Sequence, residues 1–360
     1  MAKKREMTIE DLGYNETLES YRVDNNLDSF EIGRVVAEHK DRYAVKTAEG
    51  EYDAELIGNL RFTAENRYDL PAVGDWVAFS EYDEGKALIH SIYPRKSIIE
   101  RKAVGKSGRV QIIATNVDCG LIVQSVDRNF NLNRLERYLT ICHSSDVEPV
   151  IVLSKIDLIP ESDLQTIKDQ INHRIKDTLV MAISHESEGY DQVENFIEAG
   201  KTYCLLGSSG VGKSTLLNNL SGQLHMKTGE ISSSVNKGRH ITSHRELIVL
   251  DNGGIIIDNP GMREVGIADT SGGLETTFEL ILEYAQQCRF KDCTHMHEED
   301  CAVLQAVEDG EIDEAAYANF RKMEKEKDHF ESDVAERRKK DKQFGKLIKR
   351  IQKEKKKHKY

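Results

Sequence analysis

The segment Tyr203-Cys-Leu-Leu206 runs straight into Gly207-Ser-Ser-Gly-Val-Gly212-Lys213-Ser214-Thr215, and no other stretch of the chain constrains its fold as tightly. An apolar strand, a glycine-rich loop ending in Lys-Ser/Thr and a helix form a phosphate loop, which is built on a parallel sheet. Its glycines let backbone N–H groups converge on phosphate oxygens, and the helix N-terminus adds its positive dipole end. Gly207, Ser208, Ser209, Gly210, Val211, Gly212, Lys213, Ser214 and Thr215 are therefore candidate nucleotide contacts. Lys213 is expected to reach the β- and γ-phosphates, with a catalytic part in neutralising charge, and Ser214 to ligate Mg²⁺. Downstream, the apolar strand Ile255–Ile257 ends in Asp258-Asn259-Pro260-Gly261. Asp258 fits the carboxylate that holds Mg²⁺, and Gly261 offers a backbone N–H to the γ-phosphate.

The base-reading element lies upstream of that loop. Pro149-Val-Ile-Val-Leu-Ser154-Lys155-Ile156-Asp157 is a buried-strand pattern ending in K-x-D. Alone, K-x-D is a common surface salt pair. At the end of a buried strand, beside a phosphate loop, it reads guanine. One carboxylate accepts both the N1–H and the 2-amino donors, and adenine would leave it unsatisfied. The expected contacts are Asp157 to the base, the Lys155 stem along its face, and Ser154 and Ile156 beside them. Ser154 stands where Asn is usual, a shorter side chain expected to weaken the tie to the phosphate loop. In Ala182-Ile-Ser184-His185, Ser184 is a further candidate for a base contact. The ligand implied is GTP or GDP. Ordinary GTPases carry the phosphate loop first and the base loop last. Here Asp157 precedes Gly207 and Asp258 follows both, a circular permutation.

Around this core the pattern changes. Residues 1–28 are polar without clear periodicity and read as a loose lead-in. Residues 29–102 carry short runs rich in Val, Ile, Tyr and Phe: Ile32–Val36, Arg42–Lys46, Tyr52–Leu56, Asp75–Phe79 and Leu88–Tyr93. Turns are expected at 48–51 and 83–86, so five strands make a small barrel, OB-like or SH3-like. Residues 103–272 alternate strands, beginning with Gln111–Asn116 and Gly120–Gln124, with helices such as Leu132–His143, giving a parallel sheet covered on both faces. After Gly273 a helix is expected over Thr276–Gln287. Next comes Cys288-x₄-Cys293-x-His295-x₅-Cys301, three thiolates and an imidazole suited to a closed structural zinc site. Small buried cysteines in a helical unit (273–335) are the other reading, and His297 competes as a ligand. Cys119, Cys142 and Cys204 lie in strand or helix runs and are read as core.

The net charge of −12 conceals an asymmetry. From Arg337 onward there are 13 Lys and Arg against two acids, leaving 37 bases against 60 acids in residues 1–336. A basic tail over 336–360 fits nucleic acid. No apolar run is long enough to span a membrane, and the first ten residues lack a signal-peptide core, so a cytoplasmic chain with reduced thiols and no membrane contact is expected.

Taken together, Gly74-Asp-Trp-Val77, Asn116-Val-Asp118, the phosphate loop, Gly238-Arg-His240-Ile-Thr242-Ser-His244-Arg-Glu246 and Asp258-Asn-Pro-Gly-Met-Arg-Glu264 resemble the ribosome small subunit-dependent GTPase A family (RsgA, also called YjeQ or YloQ). The chain departs from the family pattern at Ser154, at Ile241 and Ser243 (where Thr is usual) and at Asn259. The resemblance implies a multidomain α/β protein: an OB-like barrel, a circularly permuted P-loop GTPase domain, and a helical zinc-binding domain with a basic tail. It implies one structural zinc on Cys288, Cys293, His295 and Cys301, and Thr242 as the switch residue meeting Mg²⁺ and the γ-phosphate. It implies a monomer that binds the 30S ribosomal subunit and 16S rRNA, hydrolyses GTP faster there, and acts late in assembly. An RNA-binding nucleotide switch with little turnover, or a GTPase serving another RNA or protein, are the alternatives. The water-orienting Gln that follows D-x-x-G in Ras-type enzymes is here Met262, so a neutral histidine, His240 before His244, is the candidate for catalysis, unless both are merely exposed loop residues.

Overall fold

The computed structural model describes residues 7–39, 42–102, 110–128, 130–184, 189–222, 245–259 and 272–332. His240, Thr242, His244, Gly261, Met262 and the basic tail lie outside the described residues.

Strands β1 (Glu31–His39), β2 (Arg42–Lys46), β3 (Glu51–Leu56), β4 (Trp76–Asp83) and β5 (Lys86–Ile92) close into a barrel in the order β1-β2-β3-β5-β4, with β4 returning to β1. That order, with β3 parallel to β5, is the OB arrangement and decides between the two barrels expected. Inward residues alternate along the strands, so Val35, Val45, Val77, Phe79 and Ile89 fill the interior.

From residue 7 the lead-in is built of regular elements packed on the barrel, not loose. Helix α1 (Glu16–Asp24) follows a short 3₁₀ turn and is capped by Asn15, whose side chain accepts from Leu18 N. Leu12 and Leu18 bury against Trp76, Ala78 and Tyr93 on the barrel. Its apolar residues are irregularly spaced, so the segment shows no periodicity of its own. Its partner surface comes from strands some 60 residues away in sequence. Arg34 rivets these parts together. Its buried guanidinium donates to Leu12 O (2.5 Å), Gly74 O (3.2 Å), Asn116 O (3.3 Å) and Thr202 Oγ1 (3.0 Å). Lead-in, barrel, linker and phosphate-loop strand are thus held by one side chain, four of its five donors satisfied.

After the barrel, β6 (Ile98–Lys102) and β7 (Val110–Thr115) form a separate antiparallel hairpin. The run expected over Gln111–Asn116 is therefore a hairpin strand and not part of the parallel sheet, and the boundary expected at 102/103 falls inside that hairpin. A short apolar run carries no signal of its pairing partner.

The parallel sheet has the order β10 (Leu179–Ile183), β9 (Glu148–Ser154), β8 (Cys119–Ser125), β11 (Thr202–Leu206), β13 (Ile255–Asp258), with β12 (Glu246–Val249) antiparallel at its edge. Beyond β12, Ala37 of β1 pairs with Glu246, so barrel and sheet are continuous. Alternate residues divide between two cores. Ile122, Ile151, Leu153 and Cys204 face one side, with α3 (Leu132–His143) and α4 (Glu161–Arg174). Leu121, Val150, Val152 and Leu205 face the other, with α5 (Tyr190–Phe196) and α6 (Lys213–Ser221). Cys119, Cys142 and Cys204 are buried, as expected.

The C-terminal unit comprises α7 (Gly273–Thr277), α8 (Glu279–Ala285), the Cys/His segment, α9 (Ala302–Glu308) and a helix over 314–332. The single helix expected over Thr276–Gln287 breaks at Phe278 (φ −117°, ψ 37°), whose ring packs edge-on to Phe320, centroids 5.4 Å apart. Gly273 lets α7 approach α3: a Cβ there would lie 2.0 Å from Ser144 Oγ. The unit docks on α3, where Arg137 makes two 2.6 Å contacts to Glu326.

Candidate functional site

The C-terminal ends of β8, β9, β10, β11 and β13 share one edge of the sheet. Ser125 is level with Ser154, and Ser154 with Ile183. Ligands of open parallel sheets bind at this edge. The phosphate loop leaves it after Leu206. Gly207 (φ 148°), Gly210 (φ 82°) and Gly212 (φ 98°) are all in left-handed backbone, and a Cβ on Gly207 would meet Val123 O at 2.4 Å. Gly212 caps α6, so Lys213, Ser214 and Thr215 form its first turn, where N–H groups point at the loop.

Lys213 is 7% exposed, and its ammonium donates to Gly207 O (3.0 Å) and Ser208 O (2.9 Å). Burial lowers its pKa to about 8, against the pull of Asp258. The loop's own carbonyls hold the charge where phosphate oxygens can take over. Arg134, on the first turn of α3, reaches Ser208 Oγ at 3.4 Å, a neighbour no sequence motif marks.

The base loop is bound to the phosphate loop. Ser154 is buried, and its hydroxyl donates to Val211 O at 2.5 Å. The short side chain expected at Ser154 still makes the tie directly, because β9 ends close enough for a hydroxyl to reach. Lys155 follows in left-handed backbone (φ 61°), then Ile156–Leu158 forms a 3₁₀ turn that exposes Asp157 at the rim. Lys155 Nζ pairs with Asp127 at 3.2 Å, and Ser125 Oγ donates to Asp127 Oδ1 at 2.9 Å. Asp127 was missed in the sequence, since it belongs to no spacing pattern. Ser184 is buried at the end of β10, beside this loop in the sheet.

Asp258, 1% exposed, ends β13. Its Oδ1 and the Oδ1 of Asn259 are buried without a hydrogen-bond partner among the described residues. Burial raises the Asp258 pKa to about 6, opposed by Lys213. Asn259 turns its amide inward to donate to Cys204 Sγ at 3.0 Å. Two orphaned buried oxygens beside the phosphate loop suit a hard cation such as Mg²⁺.

In the C-terminal unit, Cys288, Cys293, His295 and Cys301 place their ligand atoms within 4.8 Å of one another, while exposed His297 is outside the group. Cys288 Sγ lies 3.8 Å from Cys301 Sγ, and both lie 3.5 Å from His295 Nδ1. A tetrahedral ion with bonds of about 2.3 Å to sulfur and 2.0–2.1 Å to nitrogen has edges of roughly 3.8 and 3.6 Å. The four could therefore hold one metal ion, through Nδ1 of the histidine. His295 takes φ 56°, and its carbonyl accepts from the Tyr317 hydroxyl on the helix over 314–332.

The sequence profile of RsgA GTPases matches residues 92–268, which starts ahead of the β6–β7 hairpin. A profile of ABC transporters also matches, over 190–359, a span that shares the phosphate loop but omits the base loop at 154–157. No helix among the described residues is long and apolar enough to cross a membrane. The small ribosomal subunit biogenesis GTPase RsgA 1 of Bacteroides thetaiotaomicron is 40% identical over 325 residues, covering 90% of each chain. The RsgA of Syntrophotalea carbinolica is 40% identical over 329 residues, covering 89% of this chain and 90% of its own. Among solved structures, YjeQ from Thermotoga maritima aligns with a TM-score of 0.59 at 26% identity, over 82% of this chain and 98% of that one. YloQ, described as a circularly permuted GTPase, gives 0.59 and 26% over 83% and 96%. With its base loop ahead of its phosphate loop on one sheet edge, and a Cys₃His cluster behind, the chain belongs to the RsgA GTPase family.

Proposed function

We propose that this chain is a GTP-hydrolysing factor that binds the small (30S) ribosomal subunit and acts in its late assembly, with the subunit stimulating turnover. The observation that carries the reading is the Ser154–Val211 hydrogen bond, which joins a guanine-type loop to a phosphate loop in permuted order. The relatives' names supply the subunit.

In this reading Asp157 accepts from the guanine edge, flanked by Ser154, Lys155, Ile156 and Ser184. Residues Gly207 to Thr215 wrap the phosphates. Ser214, Thr242 and Asp258 are the ligands offered to Mg²⁺, and Gly261 gives its N–H to the γ-phosphate. When bound, Mg²⁺ neutralises charge on the phosphate oxygens. The division is a lead-in to 28, a barrel to about 102, the GTPase region to 272, a zinc-binding unit to 335 and a basic tail. Barrel, zinc unit and tail meet 16S rRNA, the tail in a salt-dependent way. The protein works as a cytoplasmic monomer. The three thiolates and imidazole suit zinc, closed and structural. Cys293→Ala is expected to lose the metal and loosen the chain from about residue 288 onward while GDP still binds, because ligation and local folding are coupled. Zinc analysis with limited proteolysis checks this, and wild-type protein without metal would end the idea.

The deciding experiment is GTP hydrolysis with and without purified 30S subunits. Met262 favours slow turnover alone, so stimulation is expected; rates unchanged by 30S would favour a switch or another partner. We assign water orientation to His240, so His240→Ala should keep nucleotide and 30S binding but lose at least tenfold of the stimulated rate. Turnover within twofold of wild type at saturating 30S would pass the role to His244.

A further inference from the structure

We propose that Asp127 is a positioning residue for guanine-nucleotide recognition: it holds the Lys155 side chain as a preformed wall of the base slot. The inference rests on the base-loop reading above and deepens it.

A lysine stem lies flat along a base only if its far end is anchored, since four rotatable methylenes otherwise sample many rotamers. Here the anchor is Asp127. Asp127 Oδ2 is 3.2 Å from Lys155 Nζ, and the two side chains are only 23% and 17% exposed. The carboxylate is itself aimed, because Ser125 Oγ donates to its other oxygen at 2.9 Å. The two strand ends are locked together, with Val126 N donating to Ser154 O at 3.1 Å. Lys155 is the one residue of the loop in left-handed backbone, a conformation that persists when its surroundings fix it from several sides. The Asp127 pair fixes the side chain, and Leu158 N, donating to Lys155 O at 3.0 Å, fixes the turn.

The pairing also has a consequence for selectivity. Asp157 lies two residues from Lys155 in the same turn and must accept two donors from guanine. An unanchored ammonium would compete for that carboxylate. Asp127 already pairs with that ammonium at 3.2 Å, which limits the competition. The slot is then built before nucleotide arrives, so little ordering is left for the binding step.

The test uses the full chain, with GDP and GTP binding measured by titration calorimetry. Asp127→Asn is expected to raise the Kd of both about tenfold, and to leave kcat at saturating GTP within twofold, because the reacting phosphates are untouched. Asp127→Glu should recover affinity to within threefold of wild type, which a general packing defect would not allow. Ser125→Ala, a milder change in the same chain of contacts, should weaken GDP a few-fold. In a Lys155→Ala background, Asp127→Asn should change affinity less than twofold, since its effect runs through that lysine. GDP affinity within twofold of wild type in Asp127→Asn would overturn the proposal, and so would an undiminished loss in the Lys155→Ala background. Wild-type protein that does not bind GDP would instead bring down the base-loop reading, and this proposal with it.

Discussion

Glu136→Ala is expected to destabilise the protein by about 3–5 kcal/mol, the range found when one partner of a buried ion pair is removed. Glu136 lies on α3 and is 1% exposed. Arg174, at the end of α4, grips it with 2.7 Å contacts to both oxygens, and Asn319 of the C-terminal unit donates to it at 2.6 Å. Burial pushes the carboxyl's pKa up, and the Arg174 guanidinium pulls against that. In the alanine variant the buried Arg174 keeps only Asn133 Oδ1 (2.8 Å) and the outlying Asp313 (3.5 Å), and Asn319 loses one acceptor. The loss should be uneven. α4 follows the base loop, and Asn319 belongs to the unit that carries the Cys/His cluster, so the C-terminal unit should come away from α3 before the sheet unfolds. Denaturant titration checks the size, and limited proteolysis checks the order. A loss below 1 kcal/mol, or one transition with no early cleavage in the C-terminal unit, would count against the clamp.

Elements that close on themselves were legible in the sequence. α3 runs over Leu132–His143 as its helical spacing predicts, and the phosphate loop combines motif, preceding strand and following helix. Elements completed by distant partners were not. α1 buries Leu18 against barrel strands. Nothing in the local pattern of β7 tells a hairpin from a parallel strand. Arg34 looks like any lysine or arginine of a strand until four backbone and side-chain acceptors from four parts of the chain surround it. In the candidate site the same division holds. Residues that belong to a spacing, such as Lys213, Asp157 and Cys301, are candidates the sequence can name, whereas Asp127 and Arg134 come to notice only through contacts the spacing does not encode. That the Ser154 hydroxyl reaches Val211 O is not legible in the sequence, because reach depends on how closely two loops approach, a tertiary quantity.

Asp258→Asn is expected to stabilise the nucleotide-free protein at neutral pH while lowering Mg²⁺-dependent GTP hydrolysis on the order of a thousandfold, the several kcal/mol a metal's charge supplies. The two effects have one cause. Asp258 is buried, one of its oxygens has no partner among the described residues, and burial lifts its pKa from the ordinary 3.8 to about 6. A raised carboxyl pKa means the folded state binds the proton more tightly than the unfolded chain does. Stability from this group is therefore fully present below about pH 4 and is lost as pH rises through about 6. At 1.36 kcal/mol per tenfold, the ionised carboxylate costs about 3 kcal/mol at pH 7.5. Asparagine removes that cost, in which the attraction of Lys213 is already counted, so a net gain of up to about 3 kcal/mol is expected. The gain should be largest at pH 7.5 and shrink toward pH 5, as the wild-type carboxyl takes up its proton. Thermal melting of both proteins without nucleotide at the two pH values measures this, and hydrolysis at saturating Mg²⁺ measures the loss. A variant less stable than wild type at pH 7.5, or equally stabilised at both pH values, would show that Asp258 is not held as a destabilised anion. The expected gain, largest at pH 7.5, would instead mark a site built for a cation: the charge is unfavourable until a metal with its nucleotide arrives to balance it, and binding is strengthened by what folding gave up.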